Sequence, residues 1–224
     1  MNLILTDKCT NSCPYCFAAA EMSKDSKKND LSRKDFDRFM DFLSSSGEHV
    51  DLNVIGGEPL VYPDLDYVMN RLYHSDSITE IFLMTGGIVD GGKFEQLLPY
   101  RSKMRMMFNV NEKVSYKNHS HQELVYRNID YAISLGYRVC IGFNIYHHDF
   151  NGEEILELCM RNGIRHLRFA VACPIYGEKG KQFIVPAIEY GRLATQVFDF
   201  LVDCYESGIE AVLDCPVPFC FFSE

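Results

Sequence analysis

The sequence predicts an α/β fold: an open, partial (β/α)6 TIM-like barrel with a parallel sheet, helices outside, and chemistry at the C-terminal ends of the strands. Three observations lead there. Six apolar runs of strand length alternate with longer segments of helical period, and that alternation implies parallel strands joined by right-handed crossovers. A closed eight-unit barrel typically takes about 250 residues, so six units in 224 suggest an incomplete one. Residues unusual for a core also collect directly after the strand runs, while the runs themselves are built from Val, Ile, Leu, Phe and Met.

The first strand is expected at Asn2–Leu5. After a polar, charged loop at 23–30, a Ser32/Asp35 capping box opens a helix with Phe36, Phe39, Met40 and Leu43 on one face. The second strand, Asp51–Ile55, is followed by a helix carrying Leu65, Val68, Met69 and Leu72. The third, Glu80–Met84, leads to a short helix around 94–98. The fourth, Arg105–Asn109, precedes a helix marked by Val125, Ile129, Ala132 and Ile133 and stopped at Gly136. The fifth, Arg138–Ile145, is followed by Ile155, Leu158 and Cys159, with Gly163 as the stop. The sixth, His166–Ala172, is followed by the longest helix, from about Pro186 to Ser207, with Leu193, Val197, Phe200 and Leu201 as its buried stripe and Gly208 after it. The barrel is therefore expected over 1–207. Residues 208–224 are expected to begin a truncated or vestigial cysteine-containing extension, because Cys215 and Cys220 flank a Pro-rich turn there.

A hydrophobic content of 47% and a charged content of 24% describe a globular protein rather than a disordered one. The net charge of -9 argues against nucleic acid as a main partner, since phosphate binding needs a basic surface. No apolar run approaches the roughly 18 residues of a spanning helix, and the N-terminus lacks the order of a secretory signal. No membrane partner and a cytoplasmic location are the expectation. Nine cysteines without export signals read as metal ligands plus buried thiols rather than a disulfide framework.

The chemistry concentrates in "CTNSCPYCF", which follows the first strand and places Cys9, Cys13 and Cys16 in a C-x3-C-x2-C spacing. Three thiolates on one short loop suit a [4Fe-4S] cluster, whose fourth iron is then free to take an outside ligand. The alternative is a zinc site completed by a distant Cys140, Cys173 or His49, although the paired C-x2-C knuckles usual for zinc are missing. Further polar motifs end the other strands: Gly56–Pro59 ("GGEP"), Thr85–Gly87, Asn109–Asn111, Asn144–Asp149 and Ala172–Pro174.

With Tyr15 in the aromatic slot of C-x3-C-x-aromatic-C and a Gly-Gly-Glu loop after the second strand, the chain resembles the radical S-adenosylmethionine (radical SAM) enzymes. The motifs run from about Leu3 to Ala172, and the resemblance is strongest to the subgroup that modifies peptides and proteins and often carries a cysteine-rich C-terminal extension. The resemblance implies a [4Fe-4S] cluster held by Cys9, Cys13 and Cys16, its open iron chelated by the amino and carboxylate groups of S-adenosylmethionine. One electron then cleaves a carbon–sulfur bond, giving methionine and a 5'-deoxyadenosyl radical that abstracts hydrogen from a peptide, protein or small organic substrate. A reductant such as flavodoxin or ferredoxin is implied as a partner. Glu58 would accept from the methionyl ammonium, with Gly56 and Gly57 admitting the ligand to the backbone and Pro59 stiffening the exit. Asn109, with Asn111 as second choice, would bond the ribose; Arg168 would pair with the methionyl carboxylate; Tyr15 and Phe17 would flank the adenine. The strand-five glycine motif that often supports adenine is only loosely echoed by "CIGFNI".

Outside that set, His147, His148 and Asp149 form a polar string at the mouth, suited to substrate contact or proton transfer. Cys173 is the thiol best placed for a further role, whereas Cys140 and Cys159 fit apolar faces as buried thiols. Two rival readings stand beside the leading one: a glycyl-radical activating enzyme, and a zinc or iron–sulfur binding module without turnover.

Overall fold

Apolar strand runs alternating with helical periods give the observed elements. A computed structural model describes residues 1–16, 18, 29–116, 118, 120–172, 190–214 and 217. In chain order it has β1 (Asn2–Ile4), α1 (Arg33–Ser46), β2 (Val50–Ile55), α2 (Leu65–Tyr73), β3 (Ile78–Thr85), α3 (Gly92–Gln96), β4 (Met104–Val110), α4 (Ser120–Ser134), β5 (Arg138–Ile145), α5 (Gly152–Arg161), β6 (His166–Val171), α6 (Tyr190–Glu206) and β7 (Glu210–Leu213). Short 3-10 turns at Pro59–Val61, Leu98–Lys103 and Lys113–Ser115 fill the connections. The chain divides into two compact units. One comprises Met1–Asn11, Glu21–Phe108 and Glu123–Val139; the other comprises Ser12–Ala20, Asn109–Gln122 and Cys140–Glu224.

In the first unit β1, β2, β3 and β4 lie side by side, all parallel, with Leu3 opposite Val54, Leu52 opposite Ile81 and Leu83 opposite Met106. Parallel strands are covered on both faces, and Leu52, Val54, Ile81, Leu83, Met104 and Met106 are fully or nearly fully buried. Helix α1 begins at Ser32, whose hydroxyl accepts from the Asp35 amide as the capping box requires, and it buries Phe36, Met40 and Leu43. Helix α2 buries Leu65, Val68, Met69 and Leu72, the stripe expected from its period. Asn128 on α4 ties the loop after β3 from below, donating to the carbonyls of Gly87 at 2.8 Å and Val89 at 2.9 Å.

The second unit carries β5, β6 and β7, again all parallel. Its apolar centre is aromatic: Phe200 of α6 packs 6.2 Å from Phe143 of β5 and 6.2 Å from Phe169 of β6, with Phe150 5.9 Å away. Cys140 and Cys159 are buried there, as the sequence suggests, together with Cys204.

Three boundaries differ from the sequence reading. The short third helix starts at Gly92 and gives way to 3-10 turns, because Pro99 cannot continue the α-helical hydrogen bonding. The buried stripe of α6 uses Ala194 and Cys204 where Leu201 was expected, and Leu201 is only half-buried. The third difference is β7, within the segment read as an extension. It pairs with β6, Leu167 facing Ala211 and Phe169 facing Leu213. Residues Pro186 to Glu189 of the expected last helix, the loop at 23–28, Cys173, Cys215 and Cys220 lie outside the described residues.

Candidate active site

The chain beyond β1 stays extended and continues to pair. Leu5 N donates to Ile55 O at 2.9 Å, Gly57 N to Thr6 O at 2.7 Å and Glu58 N to Lys8 O at 2.7 Å. The glycines of the GGEP loop are therefore needed for this seam. A side-chain carbon on Gly57 would fall 2.2 Å from Lys8 O, and one on Gly56 would fall 2.6 Å from Thr6 O. Both sequence-predicted glycines thus meet the backbone that leads into Cys9, at Thr6 and Lys8, three residues and one residue before the first thiol.

Glu58 is 1% exposed. Its Oε1 accepts from Leu60 N at 3.1 Å and from Thr85 Oγ1 at 2.7 Å, and its Oε2 accepts from Gly86 N at 2.8 Å. Burial pushes its carboxyl pKa up, and the three donors pull it down without cancelling the burial. The "TGG" that ends β3 is thereby explained: Thr85 and Gly86 hold Glu58, and Thr85 Oγ1 accepts in turn from Gly87 N at 2.9 Å. The sequence located both motifs at strand ends but gave no sign that they bind each other.

Cys9, Cys13 and Cys16 are half-buried thiols outside any disulfide. In the first unit the Asn11 amide donates to Cys9 Sγ at 3.4 Å. In the second, Cys16 N donates to Cys13 O at 3.1 Å, closing a turn around Tyr15, and Asn111 Nδ2 donates to Cys13 Sγ at 4.0 Å. N–H groups aimed at sulfur favour the thiolate, the form that ligates iron. Soft, half-exposed thiols, two of them met by N–H donors, fit an iron–sulfur cluster. Among the described residues no three His, Cys, Asp or Glu groups gather closely enough to hold a single metal ion.

The other predicted residues fall as follows. Asn109 is half-buried near the end of β4, while Asn111, just beyond the strand, is 3% exposed and heavily bonded. Tyr15 donates its hydroxyl to Asn111 Oδ1 and accepts from Asn144 Nδ2 at 3.4 Å, and its ring lies 5.4 Å from that of Tyr146. Burial first, and then the neighbouring Cys13, raise the Tyr15 pKa well above its ordinary value. Arg168, on β6, is ion-paired with Asp214. Phe17 lies outside the described residues.

Sequence reasoning missed Glu112 and Asn111's neighbours. Glu112 is buried; its Oε1 accepts from Asn151 N at 2.8 Å, and its Oε2 lies 2.8 Å from His147 Nε2. The latter approach is outside hydrogen-bond geometry, so that contact is one of charge when His147 is protonated. Ser115 and Tyr146 hydroxyls meet at 2.5 Å, and Asn111 N donates to Tyr116 Oη at 3.1 Å. His148 pairs with Asp149, which also takes Arg192. The only signal for this cluster in the sequence was its place, after the fourth and fifth strands.

No helix among the described residues is long and apolar enough to cross a membrane. In sequence the chain is similar to the GTP 3',8-cyclase of Aquifex aeolicus, 26% identical over 168 residues that make up 70% of this chain and 51% of the cyclase. It is also similar to molybdenum cofactor biosynthesis protein 1 of Drosophila melanogaster, 25% identical over 190 residues, 80% of this chain and 32% of that protein. The chain thus spans about half or less of the length of these relatives. In fold it is similar to Streptococcus suis SuiB bound to precursor peptide SuiA, with TM-score 0.72, 16% identity, and coverage of 96% of this chain and 48% of SuiB. It is likewise similar to anSMEcpe with bound AdoMet, with TM-score 0.71, 18% identity, and coverage of 95% and 62%. These likenesses fix the fold as the α/β partial barrel that the sequence predicts. The Radical SAM superfamily profile matches residues 3–161, well over half of the chain, and so this protein belongs to the radical SAM superfamily, enzymes that work with a [4Fe-4S] cluster and S-adenosylmethionine.

Proposed function

We propose that the chain carries the catalytic core of a cytoplasmic enzyme that abstracts hydrogen from a peptide, protein or small organic substrate after reductive cleavage of S-adenosylmethionine, with flavodoxin or ferredoxin as the electron source. One observation carries the reading: the GGEP loop is bonded, amide by amide, to the Thr6–Lys8 segment that delivers Cys9. The cofactor loop and the segment that carries Cys9 are thereby parts of one local structure. A [4Fe-4S] cluster on Cys9, Cys13 and Cys16, with the nucleotide on its open iron, supplies the one-electron cleavage that yields methionine and the 5'-deoxyadenosyl radical.

The chain's own residues then bind and orient. Glu58, fixed by three donors, provides the negative charge that the methionyl ammonium meets at the loop made by Gly56 and Gly57. Arg168, paired with Asp214 on β6, is the cation for the methionyl carboxylate in this reading. Asn109 serves the ribose, and Tyr15 and Phe17 flank the adenine. A peptide as substrate is favoured by fold likeness, since SuiB binds a precursor peptide; the sequence relatives named GTP 3',8-cyclase argue for keeping small organic substrates in the same test.

The test is anaerobic reconstitution with iron and sulfide, followed by dithionite and S-adenosylmethionine. A brown [4Fe-4S] species and chromatographically detected 5'-deoxyadenosine are expected, and Cys13→Ala should abolish both. A colourless protein that releases no 5'-deoxyadenosine would sink the reading.

A further inference from the structure

We propose that Asn111 is a positioning residue for the cluster: a one-way chain of hydrogen bonds runs from Asn144 through Tyr15 and Asn111 and ends on the sulfur of Cys13, raising the reduction potential of the cluster that Cys13 ligates. The inference rests on the proposed function, because it concerns a cluster on these thiols.

The direction of the chain is fixed by chemistry. A cluster-bound thiolate can only accept, so the end of the Asn111 carboxamide facing Cys13 must be Nδ2, and 4.0 Å separates it from Sγ. Oδ1 is then the end that meets the Tyr15 hydroxyl, which must donate. Tyr15 Oη in turn accepts from Asn144 Nδ2 at 3.4 Å. Each donor is polarised by the one behind it, and the polarisation adds along the chain.

The carboxamide is also held still. Asn111 is 3% exposed; its N–H donates to Tyr116 Oη at 3.1 Å, and its carbonyl accepts from Gln122 Nε2 at 3.5 Å. Reduction adds one electron to a cluster already negative with its thiolates, so an N–H dipole aimed at one of those sulfurs stabilises the reduced form more than the oxidised. Taking the donor away leaves the reduced form less favoured.

The experiment compares reconstituted wild type with Asn111→Leu, which has similar size and no donor, and Asn111→Ala, which has no donor and cannot clash. Two quantities are read: the cluster midpoint by EPR-monitored titration with dithionite, and the dissociation constant for S-adenosylmethionine by equilibrium dialysis. At the wild-type midpoint the reduced-to-oxidised ratio should fall about two- to tenfold in the variants, the worth of one hydrogen bond. The dissociation constant separates the two roles open to Asn111, because loss of a ribose contact would weaken binding with the midpoint unmoved. Tyr15→Phe, which cuts the chain one link upstream, should shift the ratio the same way by less. If Leu at this position prevents folding, the Ala variant decides. Unchanged midpoints overturn the inference, as does weaker nucleotide binding at an unchanged midpoint, which would make Asn111 a ribose contact. A wild type that builds no cluster ends the proposed function and this inference together; a wild type that builds one, with matching midpoints in the variants, ends the inference alone.

Discussion

Adding one methyl group at Gly57 should cost the protein a large part of its stability. The new carbon would stand 2.2 Å from Lys8 O and 2.5 Å from Lys8 C, both backbone atoms, so the two segments must part by about 1 Å to restore ordinary contact. That displacement breaks or stretches two 2.7 Å bonds, Gly57 N to Thr6 O and Glu58 N to Lys8 O. At about 1 kcal/mol for each bond and 1–3 kcal/mol for the crowding, Gly57→Ala should destabilise by about 3–5 kcal/mol. For a chain of 224 residues this is a fall in Tm on the order of 10 °C. Thermal unfolding followed by circular dichroism measures it, with Gly191→Ala as the internal comparison. Gly191 lies exposed in α6 with open space around it, so Ala there should raise stability by about 0.5–1 kcal/mol. A Gly57→Ala protein melting within 2 °C of wild type would refute the idea that the loop needs glycine for this seam.

Other outcomes follow from burial and charge. Cys159 is fully buried, its pKa pushed up to about 12 by burial, and Cys204 is raised to about 11. At pH 8 the thiolate fraction of Cys159 is on the order of 10^3 lower than that of an ordinary thiol, so iodoacetamide and mass spectrometry should find Cys9, Cys13 and Cys16 modified long before Cys159 in apo protein. Because folding raises this pKa, its stabilising effect is complete below about pH 9 and is lost as pH climbs toward 12. Urea unfolding at pH 8 and pH 10.5 should therefore show Cys159→Ala losing about 2 kcal/mol less than wild type; equal losses would contradict the assignment. Arg168→Gln should weaken S-adenosylmethionine binding about three- to tenfold in equilibrium dialysis while changing stability by less than about 1 kcal/mol, since the Asp214 pair is partly exposed. Unaltered affinity would take Arg168 out of the nucleotide site.

The architecture was legible because long, strongly periodic segments dominate it. The stripes of α1 and α2 and the apolar runs of β2 to β6 could be read directly, with ends displaced by a residue or two. Strand β7 was not legible: four residues, alternately exposed and half-buried, carry too little apolar pattern to stand out beside Gly208 and the cysteines beyond it. For the site, the cysteine spacing and the place of each polar motif after a strand were legible, since both are properties of order along the chain. Which motif bonds which was not. Glu58 reads as a carboxylate for a ligand, and nothing in the pattern tells that Thr85 and Gly86, 27 and 28 residues away, hold its oxygens. Asn111 reads as second choice for the ribose, and nothing in the pattern tells that it joins Tyr15 and Cys13 from almost a hundred residues off. Pairings at such separation depend on how the strands are registered, which local pattern does not encode.

The seam between Thr6–Lys8 and the GGEP loop works like a shared hinge pin. A small molecule that braces the loop also steadies the first sulfur, and an inorganic core that anchors the first sulfur stiffens the loop in return. Reciprocity of coupled equilibria makes the two effects equal: whatever factor the mineral core adds to nucleotide affinity, the nucleotide adds to the lifetime-setting affinity for the core, so the two should be gained and shed as a pair.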